Sequence, residues 1–71
     1  MKTIEFQLKG TRYLENLMKL KSGEGLEIVN FPDRTQLREF AIRMLDSDKI
    51  RPDYYILTIN EKELTYTAIK L

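Results

Sequence analysis

The sequence predicts a two-layer α/β sandwich with the element order β-α-β-α-β-β. Three observations lead there. An opening segment alternates strictly between apolar and polar residues. Two later segments repeat apolar residues at helical spacing. The stretch from Tyr54 onward holds two runs rich in β-formers, separated by a polar turn.

The first strand is read over Thr3 to Lys9. Ile4, Phe6 and Leu8 fall on one face, and Thr3, Glu5, Gln7 and Lys9 on the other. That pattern suits a strand buried on one side only. Gly10 then ends it, and Thr11 is placed to cap a helix. Tyr13, Leu14, Leu17, Met18 and Leu20 follow with helical spacing. Ser22-Gly23-Glu24-Gly25 closes that helix, with Gly23 suited to the left-handed position. Leu26 to Phe31 reads as a second strand, less interrupted by polar residues and so expected to be central.

The second helix has the clearest signals. Asp33 is its cap, and Gln36 stands three residues on, as in a capping box. Leu37, Phe40, Ala41, Met44 and Leu45 form the apolar stripe. Glu39 and Arg43 are spaced for an ion pair on the outer side. Asp46 to Asp53 is a polar connection anchored by Ile50 alone. Tyr54 to Ile59 is the third strand, Asn60 to Glu63 a turn without glycine, and Leu64 to Leu71 the last strand. The polar side of the first strand puts both helices on one face of a four-stranded mixed sheet. A right-handed crossover makes the first two strands parallel.

Composition narrows the chemistry. The 71 residues make one domain, residues 1–71. With no Cys, disulfides, thiol chemistry and thiolate metal sites are excluded. With no His, the commonest general base and metal ligand are gone. The 12 cations nearly balance 11 carboxylates, unlike the basic excess of nonspecific nucleic-acid binders. Asp46, Asp48 and Asp53 flank a loop without the glycine a calcium loop needs, and read as solvated acids. Gly23 and Gly25 follow a helix and precede a strand, the reverse of a phosphate loop. No enzyme activity, cofactor or metal is expected. No leader or membrane span is read, and a cytoplasmic location follows as the default.

The stretch Leu8-Lys9-Gly10-Thr11-Arg12-Tyr13-Leu14-Glu15-Asn16-Leu17-Met18 resembles the signature of the TusA/SirA-like small sulfur-carrier family. Leu8, Gly10, Leu17 and Met18 match, and Gly23-Glu24 resembles the Gly-Glu before the family's second strand. The resemblance implies the same β-α-β-α-β-β order, with two helices on one face of a four-stranded mixed sheet. It does not carry over the activity. Tyr13 stands where the family has its persulfide-bearing Cys, Leu14 and Asn16 replace two prolines, and a phenol cannot carry that sulfur.

Two surfaces are candidates for binding. Lys9, Arg12 and Lys19 lie about the first helix, and Arg34 and Arg38 one turn apart on the second. They could meet phosphates or an acidic partner. The sheet face away from the helices is the other candidate. If Ile4, Phe6, Leu8, Leu26, Ile28, Tyr55, Leu57, Ile59, Leu64, Tyr66 and Ala68 face the helices, Val29, Phe31, Tyr54, Ile56, Ile69 and Leu71 lie opposite. That set is too apolar for a solvated sheet, and apolar patches mark interfaces. The expectation is a small accessory or regulatory protein that binds another protein or a second copy of itself. The alternatives are a nucleic-acid binder using the basic helix surface and a thiol-less relative of the sulfur carriers.

Overall fold

The computed structural model describes residues 1–9 and 12–71. Gly10 and Thr11, read above as strand stop and helix cap, lie outside the described residues. The elements are β1 (Lys2–Glu5), α1 (Tyr13–Met18), β2 (Gly25–Val29), α2 (Arg34–Asp46), β3 (Tyr55–Asn60) and β4 (Thr65–Lys70). The predicted order and the mixed sheet are both present. The strands lie in the spatial order β1-β2-β4-β3. β1 and β2 are parallel, and β4 pairs antiparallel with both β2 and β3. β2 is internal, as its sparse polar interruption predicts.

Alternation sets the faces. Leu26, Ile28, Tyr66, Ala68 and Tyr55 are buried, and Ile4, Phe6, Leu57 and Leu64 pack partly buried against them. From the helices come Tyr13, Leu17, Leu37, Phe40, Ala41 and Met44. Phe40 sits at the centre of an aromatic cluster. Its ring centroid lies 5.1 Å from Tyr13, 5.4 Å from Phe31 and 5.0 Å from Tyr66, each edge-on. Such edge-to-face pairs set positive ring edges against negative faces.

Local chemistry fixes the ends. The Asp33 carboxylate accepts from the Gln36 amide at 2.8 Å, satisfying a free N–H at the start of α2. Gly23 has φ +87°, the left-handed value expected of it, and its N–H bonds the Lys70 carbonyl. The β3–β4 turn lacks glycine because Asn60 replaces it. The Asn60 side-chain oxygen accepts from the Lys62 and Glu63 amides, and Leu64 takes φ +58°. Ile50 is fully buried and anchors the long connection as expected.

Several placements differ from the sequence reading. Phe31 was expected on the outer sheet face but is 2% exposed in the core. β2 ends at Val29, and Asn30 at φ +62° turns the chain so that Phe31 stacks on Phe6 at 4.4 Å. Leu8 was expected inside but is 72% exposed, because β1 stops at Glu5 and its last ladder bond runs from the Phe6 amide to Val29. Leu45 is exposed where the stripe continued, and Glu39 and Arg43 form no ion pair among the described residues.

Candidate interaction surface

Tyr13 is a structural residue. Its ring packs under Phe6 and against Phe40, and its hydroxyl accepts from the Gln7 amide while facing the Glu5 carbonyl at 3.3 Å. The phenol thus ties the end of β1 to the start of α1. A thiol at this position could not span that gap.

Three of the five basic candidates sit beside carboxylates. Arg12 and Lys19 both reach Glu15 on α1, at 3.8 and 3.5 Å. Arg38 pairs with Glu61 after β3. Lys9 and Arg34 are exposed and form no ion pair among the described residues. Two of the three loop acids are engaged as well: Arg51 contacts Asp48 at 2.9 Å and Asp53 at 3.5 Å. Such exposed pairs add little stability, but they reduce the field a phosphate would feel.

The open sheet face is more polar than its sequence suggests. Cross-strand partners share a face. The pairing therefore lines up Thr3, Glu27, Thr67 and Thr58 in one row across the sheet. Ile69 and Ile56 form a neighbouring row beside Gly25, and Val29 lies on the other side next to Glu5. Ile56 is 52% exposed, while Val29 and Ile69 are half-buried. With Phe31 turned inside, a threonine band separates what remains. Tyr54, just before β3, is exposed with the Lys70 ammonium 5.4 Å from its ring.

A cleft of about 650 Å³ opens beside the start of β2, lined by Met1, Lys2, Lys19, Glu24 and Ile69 among others. Two of its charged groups have local partners. Lys19 faces Glu15, and the Glu24 carboxylate accepts from the Lys21 amide at 2.7 Å.

The sheet edges are unequal. The β1 edge is four residues long and carries Lys2 and Glu5. The β3 edge is six residues long, Tyr-Ile-Leu-Thr-Ile-Asn, with no charge and no proline. Natural proteins usually protect free edges by shortness, charge or proline, and β3 has none of these. The hydrogen-bond phase identifies its free groups. The Leu71 amide bonds the Tyr54 carbonyl, and the Lys70 amide bonds Glu24 on the β2 side. In an antiparallel ladder the bonded pairs alternate. Ile56, Thr58 and Asn60 therefore bond to β4, while Tyr55, Leu57 and Ile59 aim their backbone groups outward. The Tyr55 amide is taken by the Arg51 carbonyl at 2.9 Å. Leu57 and Ile59 keep both groups free among the described residues.

α2 continues this edge. Arg38 reaches Glu61, which follows β3 directly. Ile42 and Leu45 lie one and two turns further along the same helix face. Ile42 is 58% exposed, Leu45 44% and Ile59 43%. The flank thus combines an unpaired strand with an apolar helix stripe, rimmed by an ion pair. Sequence reasoning placed Leu57 and Ile59 toward the helices and missed their edge position. Ile42 was the available signal, an isoleucine outside the apolar stripe of α2.

Comparison with protein-family models, with curated proteins and with solved structures finds no match for this chain.

Proposed function

We propose that this is a non-enzymatic protein-binding domain whose docking surface is the β3 edge with the flanking stripe of α2. The observation that carries the reading is the unprotected strand. Leu57 and Ile59 offer paired donors and acceptors to an incoming chain, and Ile42, Leu45, Ile56 and Ile59 offer apolar contact beside them. Main-chain pairing of this kind gives affinity, and the neighbouring side chains give specificity. The engagement of Glu15, Glu61, Asp48 and Asp53 by nearby cations favours binding over acid–base chemistry. It also favours a protein partner over nucleic acid, since Arg12, Lys19 and Arg38 each sit beside a carboxylate.

Differential capture tests the proposal. The tagged protein is incubated with extract of its source cells beside two variants, Ile59→Lys on the β3 flank and Thr3→Lys on the far edge. Capture that survives Thr3→Lys and is lost in Ile59→Lys is expected. Capture indifferent to Ile59→Lys would overturn the assignment of the surface.

A further inference from the structure

We infer that the strand accepted at the β3 edge is β3 of a second copy, paired antiparallel about a two-fold axis at Thr58; this rests on the binding surface proposed above. Three observations select that occupant. The first is hydrogen-bond matching. With Thr58 opposite Thr58 of the partner copy, Leu57 stands opposite Ile59 in both directions. Each free amide of Leu57 and Ile59 then meets a free carbonyl, and none of these groups is left over. Moving the axis to Leu57 would set Ile59 against Tyr55, whose amide is already bonded to Arg51.

The second observation is charge. The strand is uncharged, so self-pairing brings no like charges together. The same register sets Glu61 of one copy opposite Tyr55 of the other. Tyr55 is the cross-strand neighbour of Lys70, which forms no ion pair among the described residues and rests 5.0 Å from the Tyr55 ring. The Glu61 carboxylate, already held by Arg38, thus faces a neutral residue with the Lys70 cation one strand beyond it, twice over.

The third is area. Ile42, Leu45 and Ile59, on the helix side, together expose the equivalent of about one and a half aliphatic residues, on the order of 250 Å² of apolar surface and about a third of the ~800 Å² per partner in a standard interface. Two copies related by this axis form one eight-stranded sheet with the helices on the same side. The α2 stripes then flank the axis, so the same residues are covered in both copies.

Sedimentation of the purified protein over a range of concentrations tests the pairing, and a single thiol tests its register. The chain has no cysteine, so Thr58→Cys carries one thiol per copy. Across the axis, residue 58 is a non-hydrogen-bonded pair with Cα atoms about 4.5 Å apart, within the range a disulfide bridges. The wild type should sediment as a dimer and Ile59→Lys as a folded monomer by circular dichroism. Under mild oxidation Thr58→Cys should cross-link at least tenfold faster than Thr3→Cys on the other edge. A wild type that stays monomeric at its highest soluble concentration overturns self-pairing. If Ile59-dependent capture of another protein persists in that case, the docking surface stands and only its occupant is wrong. If neither is seen, both fail. A dimer in which the two thiols cross-link equally slowly overturns the register.

Discussion

Removing one oxygen from the core should make this protein more stable. Tyr66 is 1% exposed, and its hydroxyl has no hydrogen-bond partner among the described residues. Burial, reinforced by the neighbouring Tyr55, pushes its phenol up to about 12. Tyr66→Phe keeps the ring that Phe40 meets edge-on at 5.0 Å and deletes only the unpartnered group. An unsatisfied buried hydroxyl costs about 1–3 kcal/mol. The void left by one oxygen costs back roughly 0.5 kcal/mol. A net gain of about 1 kcal/mol follows, which for a domain of this size raises Tm by roughly 4–8 °C.

The pH dependence supplies a second signature. The folded phenol titrates above its unfolded value, so the unfolded chain loses the proton first as pH rises. Stability is therefore intact below pH ~10 and falls between pH ~10 and ~12. By pH 11 the wild type should have lost on the order of 1 kcal/mol through this one group, and Tyr66→Phe should lose none of it. Urea titrations of both proteins at pH 7 and pH 11 measure both effects. A variant less stable than the wild type at pH 7 would mean that the hydroxyl has a partner. An advantage that fails to widen at pH 11 would refute the burial argument.

Three further substitutions probe the frame that positions the β3 edge. Tyr13→Phe removes the bond from the Gln7 amide, and should cost about 1 kcal/mol in urea with the fold retained. Phe40→Ala empties the centre of the aromatic cluster, and its cost of about 3–5 kcal/mol should be visible as a large loss of Tm by calorimetry. Asp33→Ala strips the α2 cap, costing about 1 kcal/mol, while Asp33→Asn should recover most of it.

The facing of the sheet was legible because period-2 alternation is a local property. It separates Leu26 and Ile28 from Glu27, and Tyr66 and Ala68 from Thr67, without reference to any other strand. The α2 cap was legible for the same reason. Strand ends were not, because they depend on the partner. Alternation continues past Phe6 to Leu8, but β1 has nothing to pair with once β2 stops at Val29. Phe31 was misplaced by a single backbone angle at Asn30, a residue type that tolerates the left-handed region. The candidate site was the least legible part. That β4 inserts between β2 and β3 is a long-range fact of topology, and it is this insertion that leaves β3 at an edge. Read locally, Leu57 and Ile59 resemble ordinary core positions. Their free backbone groups emerge only from the hydrogen-bond phase set by Leu71 and Tyr54.

Amide hydrogen exchange resolved residue by residue, at low and high protein concentration, tests the account most directly. Thr58 is bonded to β4 and should be protected at both concentrations. The Leu57 and Ile59 amides should exchange as open groups in dilute protein and slow together as concentration rises, while residues of β1 do not change. Leu57 and Ile59 amides that exchange at the same rate at every concentration would contradict the β3 edge as the place where two copies meet.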